Sequence, residues 1–201
     1  MTLRYGFLPL LDQKVQIFSK NLTIADAENS ARLHLKLYGF SRQTVVPVAN
    51  IVAAIDMLPT FHLAGLREIC YEPELVIDPF YFSGIRNSRR QAEFIQAKRK
   101  IVFFEINDPG LFYHVLYHEI GHFVFYLALS SVIKKIWVTE IFPHSTCATL
   151  YGKLNASEDF AESYACYCRD EETLQRIPTK YAFFRDYVFS GRPEIRKESN
   201  V

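Results

Sequence analysis

The stretch Tyr113-His114-Val115-Leu116-Tyr117-His118-Glu119-Ile120-Gly121-His122 contains the pattern H-E-x-x-H at positions 118–122. On a helix, residues four apart lie about 40° from one another around the axis, so the imidazoles of His118 and His122 can reach one metal ion. Glu119 is turned about 100° from His118, which leaves it beside that ion as a base for a metal-held water. The flanks favour a helix. Asp108 suits an N-cap and Pro109 the first helical position, and no further proline follows before position 143. The spacing predicts a buried helix over 109–128. A buried His-Glu-His cluster needs partners. A metal ion is one solution; hydrogen bonds inside an ordinary core helix are the other.

The 201 residues are read as a single domain, 1–201, in three parts: an N-terminal helical extension (1–45), a sheet plus the motif helix (46–129) and a helical C-terminal part (130–201). Hydrophobic residues make up 49% of the chain, enough for a sizeable core, which excludes a disordered protein. A net charge of +1 gives no global field for nucleic acid or acidic membranes. Cys70, Cys147, Cys166 and Cys168 show no paired C-x-x-C spacing and read as free thiols of a reducing compartment. Residues 7–11 form too short an apolar run for a secretory signal. The expectation is a cytoplasmic protein, with export by an unconventional route left open. Residues 111–133 are long and apolar, but His114, His118, Glu119 and His122 would be costly in lipid, so no membrane partner is expected.

Along the chain, Thr23-Ile24-Ala25-Asp26 resembles a capping box that opens a helix to Tyr38, with Gly39 as its stop. Residues 47–58 form a second helix, with Val48, Ile51, Val52 and Ile55 on one apolar face and Pro59 closing it. His34 is read as a surface or packing residue and His62 as a structural one. Residues 68–78 suit one strand or two short ones, and 99–106 a buried strand. Arg86, Arg89, Arg90, Lys98, Arg99 and Lys100 form a basic cluster. It is read as a solvated hairpin near a sheet edge, since base-stacking motifs are missing. Residues 130–157 read as a long connection, and a final helix runs from 179 to 189.

A catalytic zinc takes three protein ligands and keeps one open position. His144 is one candidate for the third. The short-spacing class H-E-x-x-H-x-x-G-x-x-H is excluded, because position 128 is Ala. Glu158 is the better candidate. It opens a helix that Asn155 or Ser157 can cap, and it shares a face with Glu162. Glu162, one turn deeper, can accept a hydrogen bond from the free ring nitrogen of a ligating histidine. His114 continues the i, i+4 series; it reads as such a partner, as an alternative ligand, or as an ordinary helix-face residue.

H-E-x-x-H followed by Glu158-Asp159-Phe160-Ala161-Glu162-Ser163-Tyr164 resembles the gluzincin zinc peptidases, in particular the lethal-factor-like and Pro-Pro endopeptidase-like branch and related bacterial zinc-binding peptidases. In that branch a Tyr stands seven positions before the first Glu, and here it is Tyr151. Tyr164 departs from the family's usual Phe. The resemblance implies an α+β, zincin-like fold: a small twisted sheet on a backing helix and the motif helix, then a mainly helical part carrying the Glu ligand. It implies one zinc per chain on His118, His122 and Glu158, with Glu119 as general base. Glu162 would brace a ligand, and the Tyr151 phenol would face the substrate carbonyl. The implied activity is that of an endopeptidase hydrolysing peptide bonds of a protein or peptide substrate through a zinc-activated water. The alternative is an inactive zinc-binding or protein-interaction module of the same fold. No Pro-Pro preference carries over.

Overall fold

The structure, a computed structural model, describes residues 16–20, 33–73 and 91–190. Five strands form one mixed sheet: β1 (Gln16–Lys20), β2 (Leu33–Tyr38), β3 (Glu68–Tyr71), β4 (Ala92–Ile95) and β5 (Lys100–Phe103). Their spatial order is β1-β2-β3-β5-β4. The inner pairs, β2 with β3 and β3 with β5, run parallel. The outer pairs, β1 with β2 and β4 with β5, run antiparallel. Helix α1 (Val48–Asp56) makes the crossover between parallel strands β2 and β3. Its apolar stripe is the expected one: Ile51 and Ile55 are fully buried, with Val48 and Val52 packed against the core.

Residues 33–38 overturn the expected helix to Tyr38. The segment Leu-His-Leu-Lys-Leu-Tyr alternates, with Leu35 and Leu37 buried and Lys36 exposed between them. That is the two-residue period of a half-buried strand, and it outweighs the capping signal upstream. The capping box itself lies outside the described residues, as do 74–90. Gly39 does stop the element, but as a strand terminus: its φ is +81°, and a Cβ there would meet the Tyr71 carbonyl oxygen at 2.3 Å. The strand expected at 99–106 contracts to β5; of the one expected at 68–78, Glu68–Tyr71 form β3 and 74–78 lie outside the described residues. The hairpin β4–β5 carries Lys98, Arg99 and Lys100 of the basic cluster, while Arg86, Arg89 and Arg90 lie outside the described residues.

Sheet alternation sorts the two faces. Leu35, Leu37, Ile69, Ile101 and Phe103 join the main core under the helices. Cys70, Val102 and Phe104 form a small cluster on the opposite face. There Lys100 donates to Glu72 at 2.8 Å and to the Tyr38 hydroxyl at 2.7 Å.

Helix α2 (Pro109–Phe123) carries the motif, and the Asp108 side chain accepts from Leu111 N–H as its cap. The helix continues to Ala128 through a wider π-turn, closed by Leu129 N–H on the Val124 carbonyl at 2.9 Å. The connection expected over 130–157 contains a helix, α3 (Ser131–Ile136), again extended by a π-turn to Ile141. Ile133, Ile136, Trp137 and Ile141 recur along it at helical spacing and face the core; Trp137 is fully buried, and its indole N–H donates to the Ala156 carbonyl at 2.8 Å. Helices α4 (Ala156–Arg169), α5 (Glu171–Gln175) and α6 (Pro178–Phe183) complete the C-terminal part. Trp137, Phe160, Phe183 and Phe184 interlock there with ring centroids 4.9–5.6 Å apart.

His62 is the structural residue expected. It is buried between Tyr164 and Val188: Nε2–H donates to the Val188 carbonyl at 2.7 Å, and Nδ1 accepts from the Tyr164 hydroxyl at 2.8 Å. The phenol at position 164 therefore has a specific partner. Burial lowers the His62 pKa to about 4, against about 6.5 in an unfolded chain. Between those values the unfolded state binds the extra proton, so the contribution of His62 to stability is complete above pH 6.5 and declines as pH falls toward 4. Urea denaturation of wild type and His62→Gln should show the stability difference moving in favour of the variant by about 1–2 kcal/mol from pH 7.5 to pH 5.

Candidate metal-binding and catalytic site

Helices α2 and α4 cross at Gly121. A Cβ at this position would stand 3.0 Å from both Ala161 Cα and Tyr164 Cβ, so the absence of a side chain sets how near the helices come. The crossing brings the first turn of α4 against the histidines of α2. Asn155 caps α4 by accepting from Ser157 and Glu158 N–H, each at 3.0 Å, which fixes the turn that carries Glu158.

Glu158 Oε2 lies 3.3 Å from His118 Nε2 and 3.2 Å from His122 Nε2. One ligand atom from each of His118, His122 and Glu158 lies within 4.8 Å of the other two, a group able to hold a metal ion. Glu162, one turn along α4, places Oε1 2.7 Å from His118 Nδ1 and Oε2 3.2 Å from His114 Nε2. The approach to His118 is at ion-pair distance without the alignment of a hydrogen bond, and His122 Nδ1 is buried with no hydrogen-bond partner among the described residues. Burial disfavours charge on His118, Glu158 and Glu162, but attraction between opposite charges outweighs it. His118 is raised to about 10 by Glu158 and Glu162. Glu158 is lowered to about 2 by the two histidines. Glu162 is lowered by His114, His118 and the Thr149 hydroxyl.

Glu119 is buried beside this group, and its Oε2 accepts from Phe94 N–H of edge strand β4 at 2.7 Å. Burial is the main reason its carboxyl pKa is raised. Tyr151 sits on the short helical turn Tyr151–Leu154 with its ring centroid 5.8 Å from that of His118. All six expected site residues (Glu119, Tyr151, His118, His122, Glu158 and Glu162) line a single cleft of about 440 Å³, with β4 along one side.

His144 is exposed and stands outside the group. His114 belongs to Glu162 rather than to the His118–His122–Glu158 trio. Three contributors escaped the sequence reading. Phe94 acts through its backbone N–H, which any residue type but proline would supply. Thr149 touches Glu162 from an irregular segment and also accepts from Gly152 N–H at 3.2 Å. Tyr126 lines the cleft with its ring stacked on His122, centroids 6.1 Å apart. Its i+4 spacing from His122 was the available signal.

Gly121→Ala should lower stability by about 1–3 kcal/mol in chemical denaturation. The helix-propensity gain of about 1 kcal/mol is outweighed, because the atoms the new methyl would meet are a Cα and a Cβ that cannot swing aside. No protein-family model matches the chain, and neither a curated protein nor a solved structure shows significant similarity to it.

Proposed function

We propose that this protein is a zinc-dependent endopeptidase with a zincin-like fold. The observation that carries the reading is the convergence of His118, His122 and Glu158 from two helices, with the Glu119 carboxylate in the same cleft. Two imidazoles and one carboxylate are a donor set typical of catalytic zinc, and the remaining position is left for water or substrate. The Glu162 carboxylate behind His118 fits a ligating imidazole whose Nε2 faces the metal. Bound zinc would polarise the scissile carbonyl and lower the pKa of water in the cleft.

The chain's own residues carry the remaining work. Glu119 would take a proton from the attacking water and pass it to the leaving amine. Its buried position raises its proton affinity, which suits both halves of that transfer. The Phe94 N–H would hold the carboxylate in one orientation between them. Glu162 would hold His118 in the tautomer that presents Nε2 to the metal. The Tyr151 phenol, 53% exposed at the mouth of the cleft, would donate to the carbonyl oxygen as charge develops there. Protein or peptide is the substrate class. Among the described residues, no helix is long and apolar enough to cross a membrane.

Metal analysis of protein purified without chelator should find about one zinc per chain, with clearly weaker retention in Glu158→Ala. A folded wild type that refuses added zinc would overturn the reading. Glu119→Gln should keep its zinc while hydrolysis of a mixed peptide library falls by about 10²–10⁴-fold. Zinc binding with no cleavage by wild type would favour the inactive zinc-binding module instead.

A further inference from the structure

Beneath the cleft, Asp159 and Lys180 form an ion pair that has no exposed surface. Lys180 Nζ lies 2.5 and 2.6 Å from the two carboxylate oxygens, and both side chains are fully buried. Replacing such a pair with apolar residues is often neutral or stabilising, so stability alone does not account for it. Its placement does suggest a task. Asp159 directly follows Glu158, and Lys180 reaches it from α6 across the Trp137 ring, 5.5 Å from the ring centroid. On its other side Asp159 is the floor for Gly152. A Cβ on Gly152 would meet Asp159 Oδ1 at 3.0 Å and Asp159 Cα at 3.2 Å. Gly152 is the residue after Tyr151. The same turn is held from above, where Gly152 N–H donates to the Thr149 hydroxyl, which in turn touches Glu162.

We propose that Gly152 and Asp159, the latter fixed by Lys180, are positioning residues that hold the Tyr151 phenol over the His118–His122–Glu158 group. The inference rests on the peptidase reading for its kinetic consequence, but its structural content is independent of that reading. A bare Gly152 lets the turn lie flat on α4. A carboxylate held on both oxygens by Lys180 cannot rotate toward the turn and push it outward. The C-terminal helix α6 thereby reaches the site without contributing an atom to it.

Two measurements test the proposal. In the first, 3-fluorotyrosine is placed at position 151 and followed by ¹⁹F NMR, with no need for activity. In otherwise wild-type protein the resonance should be displaced from that of free fluorotyrosine by the nearby His118 ring, and it should move on addition of one equivalent of zinc. In Gly152→Ala, and in the charge-neutral double variant Asp159→Asn/Lys180→Met, it should collapse toward the free position while zinc is still bound. The double variant guards against misfolding from a lone buried charge. The second measurement is a kinetic cycle. Gly152→Ala should lower kcat by about 10²-fold with KM nearly unchanged, and should cost nothing further in a Tyr151→Phe background. An unchanged ¹⁹F position in both variants, or an equal loss of kcat with and without the Tyr151 hydroxyl, would overturn the proposal. If wild type binds no zinc, the peptidase reading falls and the zinc-free ¹⁹F comparison still decides the positioning claim.

Discussion

The close approach of α2 and α4 at Gly121 is the constraint on which the rest of the molecule depends. Helix axes pack 8–10 Å apart according to the side chains between them. Here one partner contributes only a hydrogen, and Ala161 keeps the other side small. A side chain at Gly121 would meet Ala161 Cα and Tyr164 Cβ at 3.0 Å and so press α4, which carries Glu158, away from α2. Glu158 is within 3.3 Å of both rings, so the crossing sets how the three groups meet. The sheet and α1 back α2 with an apolar wall, and the aromatic cluster around Trp137 backs α4 from the other side. The glycine in H-E-I-G-H thus does structural work that the two histidines rely on.

Charge distribution follows from the same crossing. His118, Glu158 and Glu162 share one partly buried cleft; burial resists the ionisation of each, while the charged carboxylates favour the charged His118 and it favours them. Such a constellation is costly for folding, and natural sequences keep expensive buried charge mainly where it has a use. The contrast with His62 is instructive. That imidazole is more deeply buried, and its partners are a phenol and a carbonyl; with no carboxylate beside it among the described residues, burial prevails and keeps it uncharged. One chain therefore contains a packing histidine and a set of chemically poised ones, and the difference lies in the charge of what surrounds them.

Much of this was legible in the residues. Asp108-Pro109 announced the start of α2, Asn155 capped α4, and the stripe Val48, Ile51, Val52, Ile55 gave α1; each is a local signal that needs nothing from the rest of the fold. The segment 33–38 shows the limit. A capping pattern upstream suggested a helix, while the alternation of leucines suited a strand, and pairing with β3 decided between them. Helix α3 was read as a connection although Ile133, Ile136, Trp137 and Ile141 recur at helical spacing; a short apolar run is ambiguous by itself, and the burial of Trp137 decided it.

The candidate site divides along the same line. The sequence by itself determined which residue types share a helix face: His118 with His122, and Glu158 with Glu162, since spacing along one helix is fixed by its geometry. Only the tertiary structure decided that the two faces meet, that His114 turns to Glu162, that Phe94 N–H holds Glu119, and that Tyr151 stands over His118. Those relations join positions from 25 to 48 residues apart, with Tyr151 and His118 between those limits. They depend on helix crossing, strand order and backbone donors, none of which is written in any local pattern.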